Sequence, residues 1–204
     1  MKALPAYMVT LALLLGGALA LATPPELKVL RLDFVVIREH KNQQGQLVRE
    51  VMERTRLIAP DGRYRTHTEP AEKMNYPVQI VDPRRDVSIL LDPSQKVAIR
   101  TWQARSKRML EAEQQDTKRQ GDPLGPRIMQ GLDCNAFRVS HPNGRSTEFA
   151  YCRDPVSGAK FQGSFFARLP DGSSWREELQ RVTRDYTVDE TLFEIPADFR
   201  TIDQ

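Results

Sequence analysis

Residues 134–152 read CNAFRVSHPNGRSTEFAYC, and the fold turns on how this stretch pairs with itself. Pro142-Asn143-Gly144 is a turn signal. Proline pre-sets φ for the first position of a type I turn, Asn suits the second, and glycine takes the left-handed third. With that loop His141 faces Arg145. Counting outward, Ser140 faces Ser146, Arg138 faces Glu148 and Ala136 faces Ala150. On the other face Val139 meets Thr147, Phe137 meets Phe149 and Asn135 meets Tyr151. The same register sets Cys134 opposite Cys152, so a charge pair, an aromatic pair and a cysteine pair agree on one hairpin. The cysteines fall at a non-hydrogen-bonded site, where Cα atoms lie about 4.5 Å apart, within reach of a disulfide. An oxidising compartment lets that bond form. A redox-active pair is disfavoured, because the spacing is not C-x-x-C and no helix start is evident at either cysteine. Two cysteines without a histidine at ligand spacing make no tetrahedral metal set.

The same punctuation recurs along the chain. Pro60-Asp61-Gly62 and Pro170-Asp171-Gly172 repeat the pattern, Asp92-Pro93-Ser94-Gln95 is a further turn of type I character, and Asn42-Gln43-Gln44-Gly45 is a fifth candidate. Between them lie runs rich in Val, Ile, Leu, Phe and Thr at 30–40, 47–58, 78–81, 87–91 and 97–102. Turns at this spacing predict consecutive antiparallel hairpins. Residues 103–127, QARSKRMLEAEQQDTKRQGDPLGPR, differ: charged, Gln-rich and anchored only by Trp102, Met109 and Leu110. They predict an exposed helix or a mobile loop joining two halves of one sheet, ended by Gly121, Pro123, Gly125 and Pro126. Near the C-terminus a strand runs through Leu179 and Val182. A short helical turn starting at Asp189-Glu190-Thr191 then packs Leu192, Phe193 and Ile195 on the sheet, and Pro196 stops regular structure.

The fold class is therefore mainly β, with a strongly curved antiparallel sheet and one or two minor helices. In the 134–152 hairpin Phe137, Val139, Phe149 and Tyr151 share one face; Ala136, Arg138, Glu148 and the serines share the other. Leu30, Leu32, Phe34 and Val36 share a parity in the first strand. A sheet with an apolar face needs a cover. The visible cover is thin, so either the sheet curls on itself or a concavity stays open. Leu32, Phe34, Phe137, Phe149 and Tyr151 are the candidates to line such a concavity, or else plain core.

Composition narrows the classes. The chain has 204 residues, 40% hydrophobic and 28% charged, which fits one globular domain. Residues 1–22, MKALPAYMVTLALLLGGALALA, read as a signal peptide. Lys2 forms the positive start, residues 6–15 the apolar stretch, and cleavage after Ala20 or Ala22 satisfies the small-residue rule. An uncleaved anchor is the rival reading. Residues 23–204 then form one β-rich domain, periplasmic or secreted, with no apolar run able to span a bilayer after signal cleavage. The formal charge of +3 is too small to imply nucleic acid as a partner.

Motifs for chemistry are missing from the sequence: no G-x-S-x-G, P-loop, H-E-x-x-H, EF-hand or G-x-G-x-x-G. His40, His67 and His141 are isolated. Glu177 and Glu178 are adjacent, so on a strand they point to opposite faces. No catalytic residue, metal site or cofactor is expected, and the protein reads as a non-enzyme.

Several pieces together carry a family resemblance: the signal peptide before successive hairpins, the strand pair divided by Leu91-Asp92-Pro93-Ser94-Gln95-Lys96-Val97, Gly131-Leu132-Asp133-Cys134 leading into a second strand set, and the ending Leu192-Phe193-Glu194-Ile195-Pro196-Ala197-Asp198-Phe199. Over roughly residues 27–200 the chain resembles the periplasmic lipoprotein-carrier (LolA/LolB-like) half-barrel superfamily. The resemblance implies an unclosed β-barrel with an apolar cavity that takes acyl chains in carriers and binds partners in other members. The expectation is a binding protein for an acyl chain or lipid-modified protein. The alternative is an envelope protein-interaction or sensing module with a closed core. Peptide mapping of unreduced, alkylated protein should recover Cys134 linked to Cys152. Two alkylated thiols would refute both the register and the oxidising compartment.

Overall fold

The computed structural model describes residues 25–102, 121–141 and 144–204. The leader at 1–22 and most of the polar segment, 103–120, lie outside the described residues. Twelve strands form one sheet: β1 (Glu26–Lys41), β2 (Leu47–Ile58), β3 (Tyr64–Glu69), β4 (Val78–Asp82), β5 (Val87–Asp92), β6 (Val97–Trp102), β7 (Asp122–Met129), β8 (Leu132–Ser140), β9 (Ser146–Arg153), β10 (Lys160–Arg168), β11 (Ser174–Asp189) and β12 (Arg200–Asp203). Their order is β12-β6-β5-β4-β3-β2-β1-β11-β10-β9-β8-β7. Two meanders, β1–β6 and β7–β11, are thus joined where β1 pairs with β11. The sheet is not closed into a barrel. Two short 3-10 turns, Ala71–Lys73 and Glu190–Phe193, are the helical elements among the described residues. No helix among those residues is long and apolar enough to cross a membrane.

Side chains in the turns make the meander local. Asn42 Oδ1 accepts from the Gln44 and Gln46 amides, Asp61 Oδ1 from Arg63 N, Asp92 Oδ1 from Ser94 N and Gln95 N, and Asp171 Oδ1 from Ser173 N. Each carboxylate or amide mimics a backbone turn and fixes the loop from within. Gly45, Gly62, Gly144 and Gly172 sit at positive φ, and Lys96 takes that role after the Asp92 turn with φ 51°.

The hairpin register is as counted from the sequence: all pairs from Ser140↔Ser146 to Cys134↔Cys152 are present, and the two cysteines are bonded with Cα atoms 4.0 Å apart. The small-residue side of this hairpin enters the main core cluster, and on the other side Phe137 and Thr147 are also buried. Leu132, Cys134, Ala136, Ala150 and Cys152 are buried and share one core cluster with Leu30, Leu32, Phe34, Phe161 and Leu179. Three strands separate β1 from β8, a span of roughly 19 Å in a flat sheet. Leu179 of β11, Phe161 of β10 and Ala150 and Cys152 of β9 bridge that span, so the cluster runs continuously along one face of the sheet.

Three sequence expectations are corrected. Residues 122–127 are not part of a helix or loop: they lie in β7, whose Pro123 and Pro126 are accommodated at the sheet edge beside a bulge between Pro123 and Gly125. Proline cannot donate to a ladder, but an edge strand has one side without a partner strand. Pro196 does not end regular structure, because β12 follows it and pairs parallel to β6, making the sheet mixed. Leu192 is 36% exposed and does not join the core.

The C-terminal segment is the cover the sequence left thin. Phe193 packs with Val29, Leu57, Ala59 and Val188, and Ile195 and Phe199 pack against Val78, Ile80, Val87, Ile89, Leu91 and Ala98. Arg63 Nη2 donates to Glu190 Oε1 at 2.7 Å and Arg65 Nη1 to the Leu192 carbonyl at 2.8 Å, so the segment is strapped to β3 and the turn before it.

Gly163, at the irregularity in β10, has no room for a side chain: a Cβ would collide with Cys152 Sγ. Gly163→Ala should lower stability by about 1–3 kcal/mol through overpacking, read as an earlier urea midpoint. An unchanged midpoint would contradict this packing.

Candidate functional site

The five candidate lining residues separate in the structure. Leu32 and Phe34 are 0% and 2% exposed and belong to the closed cluster behind the disulfide. Phe137, Phe149 and Tyr151 project from the opposite side of the β8–β9 hairpin as an aromatic ladder. Its ring centroids are 5.8 Å apart for Phe137–Phe149 and 5.3 Å for Phe149–Tyr151. Of the five, only Phe149 lines either of the two clefts described next.

The first is a cleft of mixed polar and apolar lining, about 620 Å³, between β7, β8, β9, β10 and β11. Ile128 and Met129 of β7, Phe149 of β9 and Phe165 and Phe166 of β10 supply its apolar wall. Arg127, Glu148, Arg176, Glu177 and Glu178 also line it, adding charge. Ile128 is 70% exposed at the mouth of the cleft. The Arg168 and Arg176 guanidiniums lie 5.8 and 5.4 Å from the Phe166 ring centroid. Their charge stays solvated while the ring remains apolar.

The second is a cationic cleft of about 450 Å³ that sequence reasoning missed. It follows from strand register. Leu32 pairs with Arg56 and Phe34 with Arg54, and across the next ladder Arg56 pairs with Thr66 and Arg54 with Thr68. Thr66 in turn pairs with Gln79 of β4. From β1 and β11 come Arg38 and Trp175, which also pair with each other. Exposed Lys73, Asn75 and Tyr76 contribute from the segment between β3 and β4.

Glu177 is the counter-charge. It is buried, whereas its neighbour Glu178 is exposed, as their adjacency on a strand requires. The Glu177 carboxylate accepts from Arg54 Nη1 and lies 3.5 Å from Arg56 Nη2. Arg54 Nε also donates to Thr68 Oγ1 at 2.9 Å. The Arg56 guanidinium sits over the Phe34 and Tyr64 rings at 5.3 and 5.9 Å. Burial pushes the Arg54 pKa below the usual arginine value, the Glu177 charge opposes this, and the neighbouring Arg56 charge adds to it. Two guanidiniums thus share one buried carboxylate. Its partner residues lie more than a hundred positions away, and in the sequence the arginines of β2 look merely dispersed. The one local sign was that Arg54 and Arg56 keep the parity of buried Met52. No group of three His, Cys, Asp or Glu side chains among the described residues is placed to hold a metal ion.

Glu177→Gln removes the charge and leaves Arg54 and Arg56 buried without it. Breaking a buried pair from one side costs about 3–5 kcal/mol, so the variant should lose stability on that scale in urea denaturation. A loss under about 1 kcal/mol would show that the pair is solvated rather than buried.

No family model matches the chain, and no curated protein matches it in sequence. Solved structures do. The chain is similar to an uncharacterized conserved protein from Thermus thermophilus, with 8% identity, 85% of this chain and 90% of that chain covered, and a TM-score of 0.49. It is similar to a DUF1329 family protein from Desulfovibrio piger, with 12% identity, 85% and 91% covered, and a TM-score of 0.39. It is also similar to a LolA superfamily protein from Nitrosomonas europaea, with 11% identity, 82% and 91% covered, and a TM-score of 0.38. At such identities these are likenesses of fold.

Proposed function

We propose that this is a non-enzymatic binding protein of the cell envelope, which holds an acyl chain of a lipid or of a lipid-modified protein. The observation that carries the reading is the apolar wall of the first cleft. It joins Phe149, Phe165 and Phe166 to an isoleucine, Ile128, that is 70% exposed on the edge strand β7. The cleft's volume of about 620 Å³ lies within the ~300–1,000 Å³ of ligand clefts. An alkyl chain laid there would cover Ile128 and the phenylalanine faces while leaving Arg127, Arg176 and Glu178 in water. The leader, cleaved after Ala20 or Ala22, would deliver the domain to the periplasm or the medium. The disulfide suits that oxidising setting. Leu32 and Phe34 serve as core in this reading, and Phe149 is the retained ligand contact.

The test is titration of the purified domain with a fluorescent fatty acid. Saturable binding is expected. Ile128→Asp, a change at an exposed position, should weaken it roughly tenfold or more, since burying an isoleucine side chain contributes about 1.5–3 kcal/mol. Absence of saturable binding would sink the reading and leave the closed-core interaction module.

A further inference from the structure

The two clefts meet at Glu177, which lines the first and pairs with Arg54 and Arg56 of the second, but the acyl-chain reading does not use the cations of the second. Of the side chains lining the cationic cleft, Arg38, Arg54, Arg56 and Lys73 are charged, and no carboxylate is among them. Two carboxylates reach these cations from outside the lining, Glu177 on Arg54 and Arg56, and Glu50 at 3.8 Å from Arg38. The formal charge of the set is therefore +2. Arg54 and Arg56 keep only 14% and 19% of their side chains exposed, so water does little to screen them. Arg56 Nε is buried with no hydrogen-bond partner among the described residues. A buried guanidinium donor with no protein partner, at the wall of a cleft, is open to an acceptor that enters the cleft. The remaining polar lining, Thr66, Thr68, Asn75 and Gln79, consists of neutral groups able to donate hydrogen bonds.

We propose that this cleft binds a phosphate group, as a lipid headgroup or as a free phosphate, with Arg56 and Arg54 as its buried anchors and Lys73 as its exposed one. A phosphate monoester carries a charge of about −1.5 to −2 and three acceptor oxygens. It neutralises the set and satisfies Arg56 Nε. A single carboxylate would leave one positive charge uncompensated. Guanidinium groups match this ligand because their planar donors pair with two oxygens at once. Arg54 is held in place by Thr68 and Glu177, and Arg56 by the two aromatic rings, so the donors are positioned before the ligand arrives.

The experiment follows thermal melting of the purified protein against inorganic phosphate, with chloride at equal ionic strength as control, and against dihexanoyl phosphatidic acid below its micelle concentration. Phosphate should raise Tm beyond chloride in a saturable way. Arg56→Met keeps the packing between Phe34 and Tyr64 and leaves Arg54 to Glu177. It should raise the half-saturating phosphate concentration at least roughly tenfold. Lys73→Met, on an exposed position, should raise it a few-fold and decides the matter if Arg56→Met does not fold. Saturation by phosphatidic acid at a concentration at least tenfold lower than by phosphate identifies the lipid headgroup, and equal concentrations identify free phosphate. A Tm that responds to phosphate no more than to chloride, with no response to phosphatidic acid, overturns the proposal. So does a phosphate response that both variants retain unchanged. Inorganic phosphate has no acyl chain, so this outcome is independent of the fatty-acid titration, and Ile128→Asp should respond to it as the native protein does.

Discussion

β1 and β11 pair from Glu26↔Asp189 to Glu39↔Ser174, and this long ladder joins everything else. Each meander on its own is a string of local hairpins with an unpartnered long strand at one end. Pairing those two strands turns two open ribbons into one sheet and places β1 between β2 and β11. That position explains its burial pattern, in which Leu30, Leu32, Phe34 and Val36 are all below a tenth exposed. Register shifts between Val29 and Arg31 and between Asp33 and Phe34 let β11 carry extra residues, which increases local twist. The cationic cleft depends on the same ladder. Arg54 on β2 and Glu177 on β11 meet across β1, so neither would have its partner if the two meanders separated.

Much of this was legible because it is local. The hairpin closed by Pro142-Asn143-Gly144 has its register written into opposed pairs, and the structure keeps every one. Turns announced by Pro-Asp-Gly or Asx-Pro fell where a strand must reverse. What the sequence concealed is non-local or weakly patterned. β12 is four residues, all exposed, and no periodicity distinguishes RTID from a tail. β7 carries two prolines, a signal against a central strand that cannot by itself tell an edge strand from a loop. The apolar parity of the 134–152 hairpin pointed to the phenylalanine side as core. The disulfide and two alanines instead join the main core cluster, while on the phenylalanine side Phe137 and Thr147 are buried and Phe149 and Tyr151 only partly so.

The candidate site was legible only in part for a related reason. Phe149 was named, but its companions Phe165, Phe166 and Ile128 come from strands whose neighbours are set by the order of the sheet. Arg54 and Arg56 have a recognisable alternation, yet their meaning depends on a glutamate 123 residues away from Arg54. Charged residues on a buried parity are informative in retrospect, since such a position is tolerated only with a partner in reach.

The β1–β11 ladder also sets an order of events as the chain is made. Strands β2 to β6 can pair with neighbours that have just emerged, and β8 with β9 likewise. The outer edge of β1, by contrast, waits until residues 174–189 have followed. During that interval the longest apolar strand of the molecule presents unpaired backbone to whatever is nearby. Contacts of such sequence separation slow folding and lengthen exposure to wrong partners. A chain halted before β11 would therefore keep a complete first meander and still be a template for association, which makes the last stretch, from Ser174 onward, the part that ends its vulnerability.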